Sequence, residues 1–133
     1  MSNFIVDSSA WVEYFKGSEN GLKFRKVIES KQNKCFFSNI ILAEVVSKSK
    51  KEEQNVAEII KAMQSTASKI NESEAEFISG GLIHAELASS EKEVGLADSI
   101  IIAVSRKHSL KILTQDFHLK TFNSLYLAKR KGK

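Results

Sequence analysis

The sequence predicts an α/β domain, a parallel sheet covered by helices on both faces, and three observations carry that reading. Short apolar runs, Phe4–Val6, Lys34–Ser38 and Lys111–Thr114, alternate with longer stretches of helical spacing. The first and last of these runs meet an aspartate within two residues, at Asp7 and Asp116. No proline, glycine-rich linker, low-complexity segment or internal repeat divides the chain. One alternating series therefore runs from end to end, and right-handed crossovers between its strands place helices on each face of one sheet.

Phe4-Ile5-Val6 is the first strand candidate, and Ser8 or Ser9 then stands where an N-cap belongs, ahead of the amphipathic stretch AWVEYFKG. Gly17 and Gly21 punctuate that helix before helical spacing resumes through Leu22, Val27 and Ile28. KCFFS reads as the second strand because aromatic residues suit a pleated, half-buried surface, and Ser38 and Asn39 can cap the helix IILAEVVSKS. A further helix follows through Val56, Ile59, Ile60 and Met63. ASKI is a third, short strand: Asn71 stops it, and Ser73 with Glu76 three residues on forms a capping box. The long helix behind that box runs through Phe77, Leu82, Ile83 and Leu87 despite Gly80-Gly81. Each glycine costs about 1 kcal/mol relative to alanine in a helix, so the pair implies a kink or a close helix contact. Gly95 precedes LADSIIIAVSRKH, apolar on several faces and hence a central helix, while Lys111–Thr114 is a buried strand. Asn123–Leu127 adds a final edge strand.

A chain of 133 residues with 42% apolar content suits one core, which we assign to residues 1–127, leaving 128–133 as a basic tail. No apolar run approaches the roughly eighteen residues of a membrane span, and the N-terminus lacks the pattern of a secretory signal. A cytoplasmic protein without a membrane partner is expected. Cys35, the only cysteine, lies in an apolar run and reads as a buried small hydrophobe, so no disulfide or cysteine–zinc framework is available. His84 and His108 lack metal-ligand spacing to each other, and Trp11, Tyr14 and Phe15 have the spacing of packing residues. The net charge of +4 favours a polyanionic partner only weakly. Lys48, Lys50 and Lys51 gain meaning beside an acidic site, as contacts for a phosphate backbone.

Four acids supply that site. In a parallel α/β sheet, ligands bind outside the carboxyl ends of the strands. Asp7 and Asp116 belong to that edge; Glu44 lies about one turn into the helix that begins there, and Asp98 opens the central helix. Two carboxylates about 4 Å apart repel by roughly 4 kcal/mol at an effective dielectric near 20, so such a cluster calls for a cation. Oxygen-only donors suit the hard ions Mg²⁺ and Mn²⁺, which bridge to substrate phosphates. Taken singly, each acid also has a structural reading: Asp7 as strand terminator or N-cap, Asp98 as first-turn acid, Asp116 as turn former, Glu44 as an i,i+4 partner of Lys48. Their joint placement favours the site.

The order IVDSSAWVEYF, SNIILAEVV, GLADSIIIAVSRKHSLKILTQDF resembles the PIN-domain nucleases, most closely the VapC-type ribonuclease toxins, from Phe4 to about Phe122. The resemblance implies a three-layer α/β/α sandwich acting as a metal-dependent endoribonuclease, the toxin of a toxin–antitoxin pair. It implies Mg²⁺ or Mn²⁺ held by Asp7, Glu44, Asp98 and Asp116, with Ser8, Ser9 and Thr114 in support. It further implies an RNA substrate, a small antitoxin protein and a homodimer. Many relatives carry a further acid and a phenylalanine after the last acid, whereas this chain reads Phe117-His118-Leu119-Lys120, which makes His118 a candidate substrate contact.

Alternative readings are an RNA-processing nuclease of the same fold without an antitoxin, and a catalytically silent RNA-binding module, which possession of all four acids weakens. A phosphorylated receiver domain needs an acidic pair after the first strand and an aspartate ending the third, where this chain has Asp7-Ser8-Ser9 and Ile70-Asn71. Ser9 also disfavours a phosphotransferase that pairs a nucleophilic aspartate with a second acid two residues on.

Overall fold

The apolar runs and the helical stretches take the places expected of them in the computed structural model, which describes residues 2–90 and 93–129. Five strands, β1 (Ser2–Val6), β2 (Asn33–Ser38), β3 (Ser68–Ile70), β4 (Lys111–Thr114) and β5 (Ser124–Tyr126), form one sheet in the order β3-β2-β1-β4-β5. Every pairing is parallel, with Ile5 beside Phe36 on one flank and beside Ile112 on the other. The helices are α1 (Ser8–Lys16), α2 (Glu19–Ile28), α3 (Asn39–Lys51), α4 (Val56–Thr66), α5 (Glu74–Ser89) and α6 (Leu96–Lys107). The result is a three-layer α/β/α sandwich. Of the expected basic tail, 130–133 lies outside the described residues.

Burial follows from the parallel topology. Ile5, Val6, Ile112 and Leu113 of the two central strands are fully buried, as strands covered on both faces must be. Helix α6 is buried without a break from Ser99 to Ser105, which accounts for its lack of a single apolar stripe. Trp11 is fully buried, stacked on Phe15 and meeting Tyr14 and Phe37 edge-on, so this aromatic group packs the core. Cys35 is buried too, and burial pushes its thiol up to about 11. Among the described residues no helix is long and apolar enough to cross a membrane.

The helix starts differ in part from expectation. Asp7, rather than Ser8 or Ser9, occupies the N-cap of α1, and its side chain caps nothing. The serines are drawn into the first turn because their hydroxyls have other partners, described below. Ser38 likewise precedes α3 without capping it. Two of the helix's free N–H groups, on Asn39 and Ile40, instead donate to the Glu72 carboxylate at 2.9 and 2.8 Å, a cap brought from a distant loop. The Ser73–Glu76 box forms as read, with the Ser73 N–H 2.9 Å from Glu76 Oε1.

Helix α5 is held to α6 by Glu76, whose Oε1 accepts from Lys107 Nζ at 3.1 Å, with His108 Nε2 3.5 Å from Oε2. Burial works against the Glu76 charge, but its bonds to Ser73 and the Lys107 ammonium outweigh it and bring the acid to about 2. The other apolar side of α5 is not core: Phe77, Ile78 and Leu82 are exposed. The glycine pair divides into two roles. A Cβ at Gly80 would come within 2.7 Å of Ile100 Cγ1 and 2.8 Å of its Cα, whereas one at Gly81 meets nothing. Gly80 is thus the close contact between α5 and α6. Gly80→Ala should destabilise the protein by about 1–3 kcal/mol through overpacking, and Gly81→Ala should stabilise it by up to about 1 kcal/mol. Urea denaturation of both variants checks the pair; equal effects of one sign would contradict the contact.

Candidate active site

The chain reverses direction across the sheet at β1: β2 and β3 extend one way, and β4 with β5 the other. The crevice beyond the carboxyl ends of β1 and β4 is the switch point where α/β sheets bind ligands. Asp7 follows β1 directly and stays in its ladder, donating its N–H to Leu113 O at 2.9 Å. Asp116 lies two residues beyond β4, at the start of the 3₁₀ turn Phe117–Leu119. Glu44 is in the second turn of α3, and Asp98 is in the first turn of α6.

These acids act on one another through their charges. Burial, followed by the charges of Asp7, Asp116 and Glu44, pushes Asp98 up to about 7. Burial also raises Glu44, with Asp7 and Asp116 adding to the effect. Asp7 is raised by burial even though two hydroxyls and Lys48 favour its charge. The Lys48 ammonium opposes the accumulation at Asp7, Glu44 and Asp98, and it donates to Ser8 Oγ at 3.1 Å.

A hydroxyl network locks the strand ends together. Ser9 Oγ and Thr114 Oγ1 both donate to Asp7 Oδ2, at 2.8 and 2.9 Å. Each hydroxyl then accepts a backbone N–H: Gln115 donates to Ser9 and Asp116 to Thr114. Both hydroxyl protons are spent on one carboxylate oxygen, so Asp7 is tied to the loop that carries Asp116. Asn20 adds a hold that no local pattern reveals, since its Nδ2 donates to Gln115 Oε1 at 2.7 Å and to Leu127 O at 3.1 Å. His118 faces Asp116 as well: its N–H donates to Asp116 Oδ1 at 2.9 Å and its Nδ1 lies 3.1 Å from the same oxygen.

Of the three lysines, only Lys48 acts on the acids. Lys50 and Lys51 are exposed in the last turn of α3, and Lys50 is turned about 200° from Lys48 around the helix. As the side chains stand, no three histidine, cysteine or carboxylate groups among the described residues are close enough to hold one ion. The donor set nevertheless fits a hard cation in kind: it is all oxygen, it is under mutual repulsion, and Glu44 Oε1 is buried without a hydrogen-bond partner.

The PIN domain family profile matches residues 4–124, and the chain belongs to that family. Solved structures extend the likeness across the whole fold. VapC20 of Mycobacterium tuberculosis, a sarcin–ricin loop cleaving toxin, superposes with a TM-score of 0.72 at 17% identity, over 93% of this chain and 99% of that one. VapBC2 of Rickettsia felis, bound to a DNA fragment from its promoter, gives 0.69 at 23% identity, over 95% and 98%. A toxin–antitoxin complex from Klebsiella pneumoniae gives 0.61 at 24%, over 91% and 92%. No curated protein matches the chain.

The raised Asp98 has a signed consequence for stability. Its native proton is held to about 7 against an ordinary 3.8, so the folded state binds more protons than the unfolded one between those values. Stability without metal should therefore fall as pH rises through that window. Asp98→Asn removes this component: in EDTA it should match wild type near pH 4 and exceed it by about 1 kcal/mol at pH 8, after solvent screening. Urea melts across that range check the difference. A variant that is less stable by a pH-independent amount would make Asp98 an ordinary helix-start acid.

Proposed function

We propose that this PIN domain is a metal-dependent endoribonuclease and the toxin component of a toxin–antitoxin pair. The observation that carries the reading is the placement of Asp7, Glu44, Asp98 and Asp116 about the switch point, where burial holds the protons of Asp7, Glu44 and Asp98 above their ordinary range and neighbouring acids add to the effect at Glu44 and Asp98. A site that is costly as four free carboxylates is rational as a ligand set. Those four acids would hold Mg²⁺ or Mn²⁺, and such a cation, when bound, offsets charge on phosphate oxygens and eases deprotonation of water.

The chain's own residues supply the rest. Ser9 and Thr114 fix Asp7, and His118 fixes Asp116, so the acids face the substrate without losing time to rotamer search. Lys48 reaches the acids from α3 and would meet a phosphate brought there; Lys51, about 60° from it around the helix, would extend that contact along the backbone, and Lys50, on the opposite side, would not. RNA is the substrate class we assign, in line with the sarcin–ricin loop cleavage of VapC20, and unpaired or loop RNA is preferred because a single strand can enter the crevice.

The likeness to VapBC complexes supports a small antitoxin as partner, with an antitoxin arginine as a natural competitor for the cation at these carboxylates. A homodimer is consistent with the exposed Phe77, Ile78 and Leu82 of α5, and a cytoplasmic location with the targets of such a toxin. Purified protein should cleave single-stranded RNA with Mg²⁺ or Mn²⁺ and lose all cleavage in excess EDTA. Expression should arrest growth until the antitoxin is co-expressed. Cleavage that survives the chelator would reject the metal mechanism, and unaffected growth with active protein would favour an RNA-processing role.

A further inference from the structure

Phe117 is the most exposed of the large apolar side chains described, with 67% of its surface in water, and it directly follows Asp116. Its place is built rather than incidental. The Asp116 carboxylate caps the 3₁₀ turn that Phe117 opens, and the fully buried Leu119 anchors the turn's other end. The backbone that carries the ring is therefore fixed relative to Asp116. Tyr126 stands beside it, with ring centroids 6.5 Å apart and planes at 74°. Tyr126 is in register with Thr114, whose hydroxyl holds Asp7, so the pair belongs to the same sheet edge as the acids. Lys120 serves both rings, its Nζ lying 5.9 Å from the Phe117 centroid and 5.5 Å from that of Tyr126.

We propose that Phe117, Tyr126 and Lys120 form a nucleobase subsite, in which an unpaired base next to the cleaved phosphate stacks on Phe117 while Lys120 holds the adjoining backbone. The chemistry selects that occupant. Every base offers a π-face, and single-stranded nucleic acid is bound by aromatic platforms beside cations that track its phosphates. An edge-to-face neighbour such as Tyr126 stiffens the Phe117 ring without covering both of its faces. A cation poised over the rings reinforces stacking and matches the polyanion. The subsite would also explain a preference for unpaired RNA, since a base within a duplex cannot reach the ring. This inference rests on the ribonuclease reading.

The test is RNA binding by the full-length protein in EDTA, which keeps the probe intact under the metal mechanism. The probes are a labelled mixed-sequence single-stranded RNA of about twelve nucleotides and a ribose-phosphate oligomer of equal length without bases. Phe117→Ala should weaken RNA binding about 5- to 100-fold and leave binding of the base-free oligomer unchanged. Phe117→Trp should retain RNA affinity, and RNA should quench its indole emission while the base-free oligomer does not. Leu22→Ala, which removes an exposed apolar side chain from α2, should bind as wild type does.

RNA affinity of Phe117→Ala within twofold of wild type, or a Phe117→Trp emission that RNA leaves unchanged, would overturn the subsite while the nuclease reading stands. So would a Phe117→Ala variant that keeps RNA affinity but loses self-association or antitoxin binding, because the ring would then serve a protein interface. Wild-type protein that binds neither RNA nor the base-free oligomer, and cleaves no RNA with Mn²⁺, would overturn the ribonuclease reading and the subsite with it.

Discussion

The parallel pairing of β1 with β4 is the constraint on which the rest of the site depends. It sets Val6 beside Leu113, and the strands then deliver Asp7 and the Asp116 loop to one edge. Ser9 and Thr114 complete the junction by spending both hydroxyl protons on a single oxygen of Asp7. Without that pairing the hydroxyls have no shared acceptor, and the loop from Thr114 to Asp116 loses its backbone anchors. The core makes the pairing stable, because Ile5, Val6, Ile112 and Leu113 can be buried only when both faces of these strands are covered.

Charge is then concentrated where the fold can least dilute it. Burial is the first cause of the elevated protons on Asp7, Glu44 and Asp98, and the charges of neighbouring acids add to it at Glu44 and Asp98. Lys48 compensates only in part, since Glu44 Oε1 remains buried without a partner. On the proposed reading such a site would sacrifice stability for an affinity toward cations, a trade typical of functional positions in a marginally stable protein. The same edge presents an exposed aromatic ring and a lysine beside the acids, which under the proposed function would give a strand of RNA both a phosphate path and a place for a base.

Much of this was legible in the sequence because periodicity and chain order survive folding intact. The central strands read as apolar runs, α6 as a helix without a polar face, and Ser73 with Glu76 as a helix start, each a local pattern with a local cause. The placement of Asp7 and Asp116 on one edge was legible because parallel topology puts strand ends there. What escaped depends on contacts between distant segments. Glu72 caps α3 from across the chain, a role that Ser38 and Asn39 had been expected to fill. Ser8 and Ser9 enter α1 instead of capping it because the Ser8 hydroxyl accepts from Lys48 and the Ser9 hydroxyl donates to Asp7. Asn20 reaches Gln115 over a separation that no window covers. Apolar spacing marked α5 as a helix without saying what covers it, and Phe77 and Leu82 remain in water.

The central claim is that the four carboxylates form one cation-binding unit, and a thermal melt with and without Mn²⁺ tests it most directly. Near neutral pH, Mn²⁺ should raise the melting temperature of wild type above its value in EDTA, because only the native state assembles the site. Asp98→Asn, which keeps the side-chain volume and removes one charge, should show a much smaller rise. A shift of equal size in both proteins would remove Asp98 from the site and contradict the account.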